Sequence, residues 1–323
     1  MTAPRDGAGA PRVVICIATY RRPGLLAALL GSLAGVRFRE GAPRISVVVV
    51  DNDAQGSAAP VLERVRAAGF PFALTGLVQA ERNISLARNE GVRWALARGA
   101  EWVAFVDDDE TVSPEWLDEL LAAQRRTGAR VVSGPVRARY AGPVPGWIAR
   151  GGFFESPGGA DGSERVTAAT NNVLVDAALL RGEEGPFDPR FGTSGSGDSL
   201  FFMHAQRRGA RIVWAARAWV EETVPSSRAR GGWILRRAFR VGNGALWCER
   251  ALDPPLRRTA RRVAKGGARL VLGAALLPAA LLRGRRGAMR ALWNVCYGAG
   301  CLAALAGYRY HEYRESGSAA NGG

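Results

Sequence analysis

Asp107, Asp108 and Asp109 follow directly on the apolar run Trp102–Val106, and three carboxylates in so short a stretch call for a cation nearby. Two such charges about 4 Å apart repel by roughly 1 kcal/mol in water and roughly 4 kcal/mol at a partly buried site. In extended chain the side chains alternate, which predicts Asp107 and Asp109 on one side and Asp108 on the other. Two carboxylates on one side are a mount for Mg2+ or Mn2+, which prefer oxygen ligands. The alternative is a solvated acidic turn ahead of a helix capped by Ser113. Asp51 ends a second apolar run, residues 45–50, where it could accept a nucleobase N–H or a ribose hydroxyl, although Asp51-Asn52-Asp53 is also a turn-forming sequence. Arg88 lies in a helical stretch, where arginine ordinarily faces water, yet its fork suits carboxylate and phosphate oxygens. Asp198 follows a Gly/Ser run over residues 192–197 and reads as a helix cap.

The elements that would position these residues alternate along the chain. Residues 12–18 and 45–50 are continuous apolar, β-branched runs, the pattern of strands buried on both faces. Leucines at helical spacing over residues 25–33 lie between them, the opening of a doubly wound sheet. The pattern predicts helices near 58–68 and 84–98, the latter capped by Asn83, and strands near 72–78, 102–106 and 130–136. Ser113, Pro114 and Glu115 read as cap, first-turn proline and dipole-matched acid of a further helix. Residues 137–167 replace periodicity with glycine, proline and aromatics, so a loop-rich cover is expected there. Beyond it come strands near 170–175 and 211–214, a helix over 198–208, and helix-rich sequence from residue 230 onward. The expected organisation is a leader over 1–11, a catalytic domain over 12–225 divided into 12–136 and 137–225, and a helical tail over 226–323.

The formal charge of +15 is unevenly spread: residues 1–222 hold 26 Lys and Arg against 25 Asp and Glu, and residues 223–323 hold 18 against 4. Charge confined to a tail that also contains the longest apolar runs points to an anionic membrane surface and away from nucleic acid. Cys16, Cys248, Cys296 and Cys301 form no CxxC pair and read as buried free thiols, in keeping with a reducing cytoplasm. The first residues have no apolar core of the signal-peptide kind. The expectation is a cytoplasmic protein, peripheral on the cytoplasmic face of the membrane.

In order and spacing, residues 13–240 resemble the family-two inverting glycosyltransferases of GT-A fold. The resemblance implies an α/β, doubly wound, mostly parallel sheet flanked by helices, here with a helical basic and apolar C-terminal extension. It places Thr19, Tyr20, Arg22, Asp51 and Asn52 in nucleotide-binding loops and makes Asp107-Asp108-Asp109 the DxD motif. Asp107 would contact ribose or metal, Asp108 would lie with the donor, and Asp109 would ligate the metal bridging the pyrophosphate. Residues 87–91 are similar to the family's Ala-Arg-Asn stretch, which puts Arg88 at the donor. Residues 170–172 resemble the strand beneath the acceptor, where Asn171 and Asn172 would lie, with Glu222 as a further acceptor or metal contact. Asp198 takes the place of the catalytic base, with Gly197 where relatives carry Glu. Some relatives use a late histidine as a metal ligand; His204 and His311 read as structural or exposed. The implied activity is Mn2+- or Mg2+-dependent, inverting transfer from a nucleoside-diphosphate sugar to a glycan or lipid-linked hydroxyl, in cell-envelope, exopolysaccharide or glycolipid synthesis. A sugar nucleotidyltransferase of similar fold and a basic nucleic-acid-binding protein are the competing classes. The former would want a Gly-rich, Lys-bearing phosphate loop, and residues 192–197 have no following Lys.

Overall fold

The computed structural model describes residues 10–156, 158–182 and 185–312, which leaves nearly all of the expected leader outside the described residues. The chain forms two compact units, Met1–Pro189 with Asp198–Trp233, and Arg190–Gly197 with Ile234–Gly323.

In the first unit the strands are β1 (Arg12–Thr19), β2 (Arg44–Asp51), β3 (Ala73–Val78), β4 (Trp102–Val106), β5 (Glu110–Val112), β6 (Val131–Ser133), β7 (Val136–Tyr140), β8 (Glu164–Arg165), β9 (Asn172–Asp176), β10 (Ile212–Trp214) and β11 (Val220–Val224). The helices are α1 (Pro23–Ala34), α2 (Ala59–Ala67), α3 (Ile84–Ala97), α4 (Trp116–Thr127) and α5 (Gly146–Ala149). An eight-stranded sheet runs β3-β2-β1-β4-β9-β6-β10-β8, and a three-stranded sheet runs β5-β11-β7. Strands β1 to β4 are mutually parallel, whereas β9 enters antiparallel between β4 and β6. Period-two alternation divides the core between the two faces: Ile15, Val47 and Val49 join the leucines of α1 and Trp116, while Val14, Cys16, Val48 and Val50 join Ala87, Phe105 and Phe187.

Register decides what reaches the carboxyl edge. Thr19 pairs with Asp51, and Cys16 pairs with Phe105 two residues before the acidic trio. Because β9 is antiparallel, its first residue Asn172 meets the last residue of β4, Val106, at the same edge. Residues 130–136, expected as one strand, form two in different sheets. Pro135 has no N–H for a ladder, and at Gly134 a Cβ would fall 2.0 Å from the Ala218 carbonyl oxygen. The Ser113 cap is also absent: α4 begins at Trp116, and the Ser113 hydroxyl is buried without a partner among the described residues. Residues 110–112 are instead drawn into β5, which pairs with β11.

The second unit contains α7 (Gly231–Ala251) from Ile234 onward, α8 (Leu256–Leu282) and α9 (Gly284–Leu305). The segment bridging the units begins α6 (Gly197–Arg207). Helices α8 and α9 form a close hairpin, with a Cβ on Gly298 reaching to 2.5 Å of the Gly266 carbonyl oxygen. The first unit thus continues to Trp233, later than residue 225, and residues 190–197 leave it to join the second.

Asn172 is the junction of this architecture, being 2% exposed. Its Oδ1 accepts from the Trp116 indole at 2.8 Å, and its Nδ2 donates to the carbonyls of Pro135 and Ala218 at 3.0 and 2.8 Å. Truncation strands these groups, so Asn172→Ala should cost about 2 to 3 kcal/mol in urea unfolding. An unchanged unfolding midpoint would contradict this role.

Candidate active site

Strand β4 ends at Val106, and the chain turns at once, with the Glu110 N–H donating to the Asp107 carbonyl at 3.2 Å. The expected alternation of the trio is therefore absent, because these residues are no longer extended. Asp107 faces Arg88 of α3, with Nη2 to Oδ1 at 3.2 Å. Asp108 and Asp109 converge on a single nitrogen, Nη1 of Arg22, at 2.9 and 3.0 Å. The Thr19 hydroxyl donates to the other oxygen of Asp108 at 2.7 Å. Arg228 reaches Asp109 at 3.3 Å and Glu222 at 3.5 Å. Arg88, its side chain 15% exposed, is a site-facing residue and not part of a solvated helix face.

Local chemistry sets each of these positions. Asn83 caps α3 by accepting from the N–H groups of Ser85 and Leu86, which starts the helix at a defined residue and directs Arg88 one turn later to the sheet edge. Arg21 holds a left-handed backbone, φ 52°, a conformation a non-glycine residue adopts only under constraint. Its guanidinium grips Asp53 through Nε and Nη2 at 3.0 and 3.2 Å, holding the Asp53 carboxyl below the usual carboxylate range. That clamp turns the next residue, Arg22, toward Asp108. The ring of Tyr20 lies beneath the guanidinium groups of Arg21 and Arg82.

Asp51 and Asn52 are engaged by their own loop. The carboxylate of Asp51 accepts from the N–H of Asp53 at 3.1 Å, the N–H of Ala58 at 2.6 Å and the Ser57 hydroxyl. Asn52 donates to the carbonyls of Gln79 and Glu81 and accepts from the N–H of Asn83. Both donor hydrogens of Asn172 are spent inside the fold, whereas Asn171, on the turn before β9, is half-buried. Asp198 falls inside the first turn of α6, where its Oδ1 accepts from the Ser199 N–H at 2.7 Å. Among the described residues, no hydrogen bond or ion pair joins Asp198 to the acidic turn.

Arg228 and Glu110 join the site without having been expected there, and Thr170 joins it from the 170–172 stretch that resembles the strand beneath the acceptor. Arg228 carries no local signal in so arginine-rich a chain. Thr170, 1% exposed, has a hydroxyl with no partner among the described residues and lines a crevice with Arg88, Asp107 and Phe105. Glu110 is 1% exposed; one oxygen accepts from the Asp107 N–H at 2.9 Å and the other has no partner among the described residues. Burial, reinforced by Asp107, pushes its pKa well above the ordinary carboxyl value. Burial also pushes Asp108 up to about 6 against the opposing pull of Arg22 and Thr19, and raises Asp109.

The glycosyl transferase family 2 profile matches residues 14–177, a span that includes Thr19, Asp51, Arg88 and the acidic trio. The succinoglycan biosynthesis protein ExoM of Rhizobium meliloti (strain 1021) is 41% identical over 242 residues, covering 73% of this chain and 75% of that protein. The chain belongs to glycosyl transferase family 2. Its fold is that of solved glycosyltransferases: the mannosyltransferase PcManGT from Pyrobaculum calidifontis, in complex with GDP-Man and Mn2+, aligns over 92% of this chain and 88% of its own with a TM-score of 0.61 at 18% identity. S. aureus TarS 1–349 in complex with UDP-GlcNAc aligns over 94% and 93% with a TM-score of 0.51 at 18% identity. The central sheet and its flanking helices are accordingly GT-A in type.

The raised pKa of Glu110 has a sign that can be tested. Folding takes up a proton there, so the group's contribution is unfavourable above the usual carboxyl range and vanishes as pH falls into that range. Glu110→Gln keeps an acceptor for the Asp107 N–H and removes the titration. In thermal melts with EDTA, the variant should match or exceed wild type at pH 8 and show a flatter response between pH 8 and 5. Identical pH slopes would show that Glu110 is ionised in the folded protein.

Proposed function

We propose that this glycosyltransferase moves a sugar, with inversion, from a nucleoside-diphosphate donor to a hydroxyl of a glycan or lipid-linked acceptor in exopolysaccharide or cell-envelope synthesis. The observation that carries the reading is the gathering of Arg22, Arg88 and Arg228 around Asp107, Asp108 and Asp109 at one sheet edge. Charge of both signs is held there, half out of water, where a diphosphate can exchange for the carboxylates as partner of the arginines. ExoM, named for succinoglycan biosynthesis, supports the polymer class of product.

Asp107 and Asp109 offer the hard oxygen donors a divalent ion takes, and positive charge already collects on them as guanidinium groups. Among the described residues no group of three or more His, Cys, Asp or Glu is assembled as a metal site, so Mn2+ or Mg2+ would take Asp109 in place of Arg22 and Arg228. Such an ion supplies charge neutralisation at the departing diphosphate. On the protein side, Arg88 and Arg22 bind phosphate oxygens and Thr19 orients Asp108. Asp198 takes the proton of the acceptor hydroxyl as its oxygen attacks the anomeric carbon, and the bond to the diphosphate oxygen breaks with the electrons leaving on that oxygen. Asn171 and Glu222 are the candidates for acceptor contacts.

The second unit supports placement at a membrane surface. Helix α8 is long and apolar enough to cross a membrane by length and composition, and only 11% of its most apolar window is buried. Val271, Leu272, Leu276, Leu281 and Leu282 are exposed, while Arg257, Arg258, Arg261 and Lys265 precede them and Arg285, Arg286 and Arg290 follow. Apolar residues flanked by basic ones suit the interface of an anionic bilayer. Its cytoplasmic face is the side consistent with four free cysteines.

A panel of UDP-, GDP- and TDP-sugars with Mn2+ or Mg2+, scored by thermal shift and nucleoside diphosphate release, tests the activity. Asp109→Ala should abolish metal-dependent donor binding. Asp198→Asn should retain binding and lose transfer by about 100-fold or more; turnover at the wild-type rate would remove Asp198 as the base. Release of pyrophosphate in place of nucleoside diphosphate would mark a nucleotidyltransferase. For the membrane, co-sedimentation with phosphatidylglycerol vesicles at low salt should be lost at high salt, and a protein that stays wholly in the supernatant at low salt would refute it.

A further inference from the structure

The second unit contains a crevice that the proposed transfer does not use. Its walls come from residues 194–196, from Arg240, Asn243, Gly244 and Trp247 of α7, and from Arg309 and Tyr310 beyond α9. The parts are pinned in place. The Asn243 side chain, 2% exposed, donates to the carbonyls of Gly300 and Tyr308 and accepts from the Tyr310 N–H. The Trp247 indole donates to the Tyr308 carbonyl at 3.0 Å, and the Glu312 N–H donates to the Thr193 carbonyl at 2.9 Å. Residues 308–312 are thereby strapped across α7 to the 193–196 segment. Gly244 lets that segment close in, since a Cβ there would fall 2.1 Å from Ser196 Oγ.

The strap delivers Arg309 with its charge incompletely satisfied. Its Nε and Nη2 are buried and have no hydrogen-bond partner among the described residues. The guanidinium lies 4.5 Å from the ring centroid of Phe191 and 5.4 Å from that of Trp247. Aromatic faces attract the charge but do not accept its in-plane N–H groups. A buried donor left unmade costs on the order of 1 to 3 kcal/mol, more on a charged group, and every structural contact around Arg309 fixes its place without removing that cost. Arg240 stands on the same crevice, its one described ion pair a long 3.5 Å contact to Glu312. The Ser194 hydroxyl is spent on the Phe191 carbonyl, which leaves the hydroxyl of Ser196 and the phenol of Tyr310 as the wall's O–H donors.

We propose that Arg309, Arg240 and Ser196 form a binding site for a phosphate-class oxyanion. Two guanidinium groups and a hydroxyl, held by backbone and aromatic contacts, supply donors and no carboxylate acceptor within the wall itself, the arrangement that phosphate and diphosphate groups require. The exposed apolar side chains of α8 belong to the same unit, which suits a phosphate carried on a lipid, so we assign the group held there to a lipid carrier bearing the acceptor; only this assignment of source rests on the proposed transfer. Free phosphate or pyrophosphate presents the same chemistry.

The test uses the full chain in EDTA, which removes metal-assisted binding at the acidic turn. Calorimetric titrations compare inorganic pyrophosphate, farnesyl diphosphate in detergent and succinate. We expect both diphosphates to bind, succinate to bind more weakly, and Arg309→Ala to weaken diphosphate binding about tenfold or more. Arg88→Ala should leave the part of diphosphate binding that depends on Arg309 unchanged while weakening the thermal shift given by nucleotide sugar. Arg240→Gln serves as a second variant that disturbs no buried group should Arg309→Ala fail to fold. Tighter binding of farnesyl diphosphate than of pyrophosphate identifies the lipid carrier; equal binding overturns that source and leaves a free anion site. Equal affinity of wild type, Arg309→Ala and Arg240→Gln, or preference for succinate, overturns the phosphate site altogether, and neither result depends on whether the enzyme transfers sugar.

Discussion

Like charges crowded at the end of a buried strand are the constraint from which the site follows. Asp107, Asp108, Asp109 and Glu110 cannot all be ionised at the edge of a low-dielectric sheet without compensation. The protein answers in two ways. It brings arginines from three separate parts of the chain to the first three, and it buries the fourth, which raises that carboxyl's pKa. Glu110 also serves as the acceptor that fixes the Asp107 backbone, so the cluster's shape depends on this buried carboxyl.

The sheet's topology makes this compensation possible. Parallel strands β1, β2 and β4 end at one edge, which sets Thr19, Asp51 and the acidic turn side by side. The antiparallel entry of β9 brings Thr170 and Asn171 to the same edge from the opposite chain direction. The break at Gly134-Pro135 sends β7 into a second sheet with β11, and β11 pairs with β5 immediately after the acidic turn. Glu222 and Arg228 thereby come within reach of Asp109. Asn172, hydrogen-bonded to both sides of that break, couples the stability of the fold to the geometry of the site.

The second unit follows a different principle. Its helices approach through small residues, and its exposed surface sets apolar side chains beside basic ones. Within it, Asn243 and Trp247 hold the strap of residues 308–312, and the strap in turn holds a guanidinium whose Nε and Nη2 have no partner among the described residues.

The sequence by itself marked β1 to β4, because continuous apolar runs such as 45–50 suit a sheet buried on both faces, and it marked α3 through the Asn83 cap. It also marked the acidic trio, whose charge density is a local property, and with it the family resemblance. Tertiary structure alone decided which cations meet which carboxylates. Arg22 and Arg228 are separated from Asp109 by long stretches of chain; the resemblance put Arg22 in a nucleotide-binding loop, but in a sequence with 44 Lys and Arg nothing local names Asp109 as the partner of either. The same holds for Asn172, whose neighbours implied an acceptor contact but whose amide is consumed by Trp116, Pro135 and Ala218. It holds for the turn that ends the alternation of Asp107 and Asp109, which depends on the pairing of β5 with β11. Local sequence sets backbone preference and burial period; the partner of a charge is set by which distant segments the sheet brings to its edge.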